Sequence, residues 1–387
     1  MSLKMDQSAT SSPDISAHKL KEVARLFLKL GFTGFGGPAV HIAMMEEEVV
    51  RRRQWMDHQH FIDLIGATNL IPGPNSTEMT MHIGQERAGW KGLLVAGLCF
   101  IVPAVLITAV FAWAYQLYGH LPQVQPFIYG IQPAILAVIV ALMYTLGRKA
   151  LKTVELGIIG VIAAVLTIFG TNEIIVLFGA GALGMLWYAI KRKNDMAISF
   201  LPLLMLNANS LAADEQAWKM FWTFLKIGSI LYGSGYVLFA FLDADLVKTG
   251  ILTKQVLIDA IAVGQFTPGP VFSSATFIGW QIAGMPGAIG ATIGIFLPSF
   301  LFVALLNPLI PALRKSKIMS SFLDAVNIAS IAIILGICVE MGEASIVSWR
   351  TILIAVLGLI ITLRFKKLNS AFVVLGGSLL GFLLTLV

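Results

Sequence analysis

Two short stretches of this 387-residue chain carry residue types that can hold an anion. The first is Ile71-Pro72-Gly73-Pro74-Asn75-Ser76-Thr77-Glu78, and the second is Thr267-Pro268-Gly269-Pro270-Val271-Phe272-Ser273-Ser274. Proline removes a backbone donor and breaks a helix, and glycine permits close backbone approach. A helix that restarts after Pro-Gly-Pro exposes free N–H groups and the positive end of its dipole, which together make an anion site. Asn75, Ser76 and Thr77 in one copy, and Thr267, Ser273 and Ser274 around the other, add donors that grip oxyanion oxygens without committing a full charge. Simple capping explains one or two of these residues equally well.

A glycine-rich break precedes each stretch: Gly31 to Pro38, with Gly36 and Gly37, and Gly228 to Gly235. Lys29 and Lys226 lie in apolar sequence a few residues before these breaks. A charge at membrane depth is a functional candidate by default, although a lysine near the start of a segment can equally snorkel to the interface. Asp63 and Asp259 are also paired in position, and Glu78 follows the first turn. All three are candidate coupling or gating carboxyls; capping or loop solvation suits the two aspartates equally well. His41 is the group in this region that titrates near neutral pH when unperturbed. The Glu46-Glu47-Glu48 run reads as a solvated helix end.

These residues must be positioned by membrane helices. Hydrophobic residues make up 57% of the chain and charged ones 12%, where a soluble domain carries roughly 25% charged residues. No Asp, Glu, Lys or Arg stands between Asp259 and Arg314, or from Gly92 to Gly119. A bilayer core needs about 20 apolar residues per helix, and backbone groups in lipid must pair internally. The expected fold class is therefore an all-α polytopic membrane protein. Apolar segments fall at 23–45, 61–83, 92–118, 124–146, 156–172 and 174–190, then at 219–243, 256–280, 287–310, 321–340, 350–364 and 370–387. The spacing divides the chain into a disordered cytoplasmic tail (1–18), a first membrane repeat (19–193), a linker or weak extra span (194–218, containing Ile198–Ala213) and a second repeat (219–387).

The two series match in sequence. Phe27-Leu28-Lys29-Leu30-Gly31 aligns with Phe224-Leu225-Lys226-Ile227-Gly228, Gly36 with Gly233, Asp63 with Asp259, and Pro72-Gly73-Pro74 with Pro268-Gly269-Pro270. Gly84, Ala88, Gly89, Gly92 and Pro103 then fall on Gly279, Ala283, Gly284, Gly287 and Pro298. Agreement of this many Gly, Pro and ionisable positions marks a tandem duplication. Basic clusters are displaced by one loop between the copies, so the positive-inside rule orients them oppositely. Inverted repeats with helices broken at Gly/Pro motifs are a transporter architecture, with the site near the midplane.

The net charge of +6 sits in short loop clusters, so nucleic acid is not an expected partner. Cys99 and Cys338 form no CxxC pattern, and the six histidines have no metal-ligand spacing at membrane depth; neither a metal nor a cofactor is expected. A membrane-embedded enzyme wants a nucleophile beside a base, and a cation channel wants acidic rings. Neither pattern is present in the spans.

Phe35-Gly36-Gly37-Pro38, the Glu-rich turn with Trp55, Asn69 to Pro74, and the Gly84-to-Pro103 stretch with Gly89-Trp90 resemble the first domain of the chromate ion transporter superfamily. The second Pro-Gly-Pro domain makes the chain similar to the long, two-domain form, over residues 20 to 387. The resemblance implies an inner-membrane carrier that expels chromate and confers chromate resistance. It also implies halves of opposite orientation and a drive from membrane potential or proton gradient. Family-type functional positions fall at Lys29, Gly36, Gly37, Pro38, Arg51, Pro72, Gly73, Pro74, Asn75 and Glu78. The second copy departs from the pattern at Gly233-Ser234-Gly235 and Val271-Phe272, so the first half is expected to supply more of the polar site. The expected mechanism is alternating access, one repeat rocking against the other. Expected partners are the oxyanion, with sulfate as competitor, the lipid bilayer and, as a candidate assembly, a second copy of the chain. Transport of sulfate or another oxyanion is the alternative.

Overall fold

The computed structural model describes residues 13–119, 121, 124–191, 215–232, 235, 237–306, 316–365 and 368–386. Among them are fourteen α-helices and no strand. The first repeat runs through α1 (Pro13–Thr33), α2 (Pro38–Glu46, continued by a π-helical turn Glu47–Arg52), α3 (His58–Thr68), α4 (Asn75–Tyr118), α5 (Gln125–Ala150), α6 (Val154–Ile168) and α7 (Glu173–Lys191). The second repeats the series as α8 (Glu215–Ile230), α9 (Val237–Leu242, with a π turn Asp243–Val247), α10 (Lys254–Phe266), α11 (Ser274–Leu306), α12 (Lys317–Ser345), α13 (Trp349–Arg364) and α14 (Ser370–Thr385). Helix α1 begins at Pro13, inside the expected N-terminal tail. The rest of that tail, the weak span at Ile198–Ala213, and Gly233 and Ser234 lie outside the described residues.

Among the described residues, five helical stretches are long and apolar enough to cross a membrane: Asn75–Tyr118, Gln125–Ala150, Glu173–Lys191, Val271–Leu305 and Lys317–Ser345. Helices α4 and α11 are each two legs. Both fold sharply at an Ala-Gly pair, Ala88 (φ −139°, ψ 22°) with Gly89 (φ 64°, ψ −155°) and Ala283 (φ −138°, ψ 27°) with Gly284 (φ 59°, ψ −150°). A side chain at the glycine would be strained, since that backbone region is nearly glycine-only. The legs then press together where Gly84 meets Gly92 and Gly279 meets Gly287; a Cβ at either first position would run into the facing carbonyl.

Because the legs fold back, the two first-repeat segments that contain the breaks turn back to the face from which they start. Helix α3 has 11 residues, about 16 Å at 1.5 Å per residue, about half of a 30 Å hydrocarbon core. Its start meets the end of the first α4 leg, where His60 Nε2 and Glu86 Oε1 are 2.7 Å apart. Helices α1 and α2 return likewise. Arg87 Nη2 donates to Glu22 Oε2 of α1 (2.6 Å), and both Arg87 and Arg53 lie over the Trp55 ring. The Arg87 guanidinium beside Glu22, at this face and ahead of the apolar stretch, holds that carboxyl below its usual range.

Ion pairs assign the remaining ends to two faces. On the Arg-rich face, Lys152 pairs with Asp324 and Lys191 with Glu155. On the opposite face, Glu173 pairs with Lys248, and Lys254 bridges Asp243 and Glu340. Repeat two is thus inverted relative to repeat one.

Packing does not follow the sequence repeats. Helix α5 packs against α13 and α14, while α12 packs against α6 and α7; α5 and α12 also touch each other. The six form one interleaved bundle. The broken helices form a second, in which α1 packs on α4, α8 on α11, and α4 on α11. The bundles meet through α9 against α12 and α10 against α5 and α14. The first-repeat counterparts are freer of contact: Val40 is 40% exposed where Val237 is 0%, and Ile62 is 43% exposed where Ile258 is 1%.

Candidate functional site

The two Pro-Gly-Pro turns are cross-fastened between the repeats of the broken-helix bundle. Gly73 N–H donates to the carbonyl of Leu231 (2.8 Å), and Gly269 N–H donates to the carbonyl of Gly34 (2.7 Å). Gly34 and Leu231 are equivalent positions in the duplication, so each turn is fastened to the first break of the other repeat. Proline on both sides of each glycine stops either helix from continuing through the turn. That leaves the N-termini of the α4 first leg and of the 3-10 turn Val271–Ser273 leading into α11 facing this crossing.

Polar groups on the two sides differ. In the first turn, Ser76, Thr77 and Glu78 are buried at 2%, 0% and 0% exposure. Ser299 Oγ of α11 donates to Glu78 Oε1 at 3.4 Å, while Glu78 Oε2 and Thr77 Oγ1 have no partner among the described residues. Asn75 Nδ2 donates to Asn69 Oδ1 (2.7 Å). His41 Nε2 lies 2.9 Å from the Gly34 carbonyl and Nδ1 3.3 Å from Ser76 Oγ, so it staples α2 to the break and to the first leg. In the second turn the groups are all hydroxyls. Thr108 Oγ1 of α4 is 3.1 Å from Ser273 Oγ and 3.4 Å from Thr267 Oγ1, and Ser274 Oγ is buried with no partner among the described residues. Leaving a buried polar atom unpaired costs about 1–3 kcal/mol, and such atoms call for a ligand or water. Three of them, Thr77 Oγ1, Glu78 Oε2 and Ser274 Oγ, gather at the crossed turns.

Other positions singled out in the sequence lie elsewhere. Lys29 Nζ donates to Glu48 Oε1 (2.8 Å) and Lys226 Nζ pairs with Asp245 Oδ2 (2.6 Å); both lysine side chains are about half exposed, at 52% and 45%. Glu48 also takes Arg52 and Arg53 and is 6% exposed, so it is not the solvated helix end expected for that run. Three cations around it offset its burial. The sequence signal was present: Glu48 and Asp245 stand at the same distance from Lys29 and Lys226. Arg51 reaches Glu46 and Glu47 on the Arg-rich face. Asp63 accepts from Gln59 (3.5 Å). Asp259 accepts from Tyr115 Oη (2.6 Å) and from Gln255. Gly36 (φ 107°) and Gly37 (φ 80°) form the bend before α2. Thr108 and Ser299 escaped sequence reading because a single hydroxyl in an apolar run carries no local pattern.

The Lys226–Asp245 clasp makes an expected outcome. A Lys226→Glu change places two carboxylates together and is expected to lower the yield of folded protein at least twofold. Adding Asp245→Lys is expected to restore it, measured by size-exclusion profile and chromate flux. If Lys226 instead binds the anion, the exchanged pair stays as inactive as the single change.

The model of the chromate transporter family matches this chain twice, at residues 21–185 and 218–382. A "Probable chromate transport protein" of Synechococcus elongatus is 31% identical over 94% of this chain and 95% of its own length. The "Chromate transport protein" of Cupriavidus metallidurans is 30% identical over 94% of this chain and 93% of its own. That of Pseudomonas aeruginosa is 28% identical over 92% and 90%. No solved structure matches the chain.

Proposed function

Since this chain belongs to the chromate transporter family, we propose that it is a secondary transporter that exports chromate across the cytoplasmic membrane and so confers chromate resistance. The observation that carries this reading is the cross-fastening of the two Pro-Gly-Pro turns, with Thr77 and Ser274 hydroxyls beside them that are buried and have no partner among the described residues. A tetrahedral dianion fits such a site. Each helix start supplies roughly half a positive charge, and Thr77, Ser273, Ser274 and Thr108 supply directed donors. No cation has to be surrendered on release.

The Arg-rich face is cytoplasmic on this reading, by the positive-inside rule. Export moves two negative charges outward, which an inside-negative potential favours by about 2.3 kcal/mol per charge per 100 mV, about 4.6 kcal/mol in all. Alternating access follows from the two bundles. Exchange of α5 and α12 between the repeats prevents one repeat from rocking as a unit against the other, so the moving body is the broken-helix bundle. Docked α9 and α10 with undocked α2 and α3 correspond to one of two end states; the pseudo-symmetric exchange gives the other.

Labelled chromate uptake into everted vesicles under an imposed potential tests the reading, with unlabelled sulfate as competitor. Potential-dependent uptake that sulfate reduces is the expected result. Absence of chromate uptake by folded, inserted protein overturns the chromate assignment.

A further inference from the structure

Besides the crossed turns, buried polar atoms without partners gather along one face of the first leg of α4. Glu78 Oε2, His82 Nε2 and Gln85 Oε1 are all enclosed and unpaired among the described residues. Glu78 and His82 are 0% and 1% exposed, and Gln85 is half-buried. Their spacing, i, i+4 and i+7, stacks them on one side of the helix. The row begins at the crossed turns and ends one residue before Glu86, which meets His60 at the Arg-rich face beside the Arg87–Glu22 pair.

Repeat two has no counterpart. Counting back from the kink, Gln85 falls on Trp280, His82 on Phe277 and Glu78 on Ser273. Phe277 is fully buried, and Trp280 Nε1 is used by Gln116. A structural need of the hairpin would appear in both copies, since both fold alike. The row therefore serves something that happens on one face only.

We propose that Glu78, His82 and Gln85 line a water-filled path that carries protons between the Arg-rich face and the anion site. Polar cavities with several hydrogen-bonding walls hold ordered water, and a carboxyl and an imidazole joined by water exchange protons. Glu78 takes or releases the proton at Oε2, His82 relays it through Nε2, and Gln85 Oε1 orients the water at the mouth. The groups that face the row are Ser299 of α11 and Tyr232, which follows α8, at Glu78, and the His60–Glu86 and Arg87–Glu22 pairs at the mouth. His41 lies on the neighbouring face, against Ser76. A dianion and a carboxylate repel, so loading Glu78 with a proton from the Arg-rich face favours anion entry from that face. This last step rests on the transport reading; the path itself does not.

Silver ion, which reaches thiols only through water, tests the path without any substrate. In full-length protein with Cys99→Ala and Cys338→Ala, single His82→Cys and Gln85→Cys variants are expected to react from the Arg-rich face, Gln85→Cys faster. Ile83→Cys, buried on another side of the same helix, is expected to react at least about tenfold more slowly. Equal, slow reaction at all three positions in correctly folded protein overturns the path. Proton movement is read separately with trapped pH dye in proteoliposomes during chromate flux. The ratio of protons to chromate is expected to fall at least about tenfold in His82→Phe, the residue that repeat two carries; an unchanged ratio, or chromate flux with no proton movement in the unaltered protein, overturns proton delivery. Should the protein carry no chromate at all, the silver reaction still decides the path, and only the transport reading fails.

Discussion

Replacing Gly73 by alanine is expected to lower chromate flux at least about a hundredfold while the protein still inserts and folds. Gly73 holds φ 137°, where a side chain is strained; such strain costs about 1–3 kcal/mol. Its new Cβ would also collide with Glu78 Oε1 and lie 2.5 Å from Ser299 Oγ. Both side chains are fully buried, so each has little room to yield. The turn would move, and with it the N–H that fastens it to Leu231. Each 1.4 kcal/mol is about a factor of ten, so strain plus collision of about 3 kcal/mol reaches a hundredfold. Gly37→Ala is the control: φ is 80°, but a Cβ there meets nothing within 4 Å. Its effect should stay within about tenfold. Equal flux in both variants would remove the first turn from the mechanism.

Gly84→Leu is expected to prevent folding altogether, and Gly279→Leu to do the same in the second repeat. At both sites the obstacle is the backbone of the facing leg, Gly92 or Gly287. Overpacking against side chains costs about 1–3 kcal/mol because they can shift; a helix leg tethered by a two-residue bend cannot shift without opening the hairpin. Stability margins of about 5–15 kcal/mol leave little room for that. Detergent-extracted protein would show loss of the monodisperse peak. Gly179→Leu, at an exposed helical position where a Cβ meets nothing within 4 Å, should leave the peak in place.

Much of this architecture is written locally in the chain. The duplication, the breaks and the inverted orientation each leave a mark in a short window: Pro-Gly-Pro, Ala-Gly, or a basic cluster at a helix end. Even the hairpins are announced by Gly84/Gly92 and Gly279/Gly287, although closure onto a facing carbonyl is visible only once the legs are folded. What escaped sequence reading is non-local. Thr108 and Ser299 reach the turns from legs of the opposite repeat, and α5 and α12 change places between repeats. The paired lysines were legible by position, but their carboxylate partners were not read. Lys29 and Lys226 point to carboxylates 19 residues ahead, each inside a π turn that shifts the helix phase. Around the turns the first half supplies the carboxyl, the imidazole and Thr108, while the hydroxyls Thr267, Ser273 and Ser274 come from the second.

The central claim is that chromate sits between the crossed turns, held by hydroxyls from both repeats. Its most direct test is equilibrium binding of labelled chromate to purified protein, comparing the unaltered chain with a Thr77→Ala/Ser274→Ala double variant. Hydrogen bonds to a charged ligand contribute about 1.5–3 kcal/mol each, so affinity should fall at least about tenfold, with Tm not lowered because neither hydroxyl has a partner among the described residues. Unaltered affinity in the double variant, with Tm likewise not lowered, would contradict the account and place the anion elsewhere.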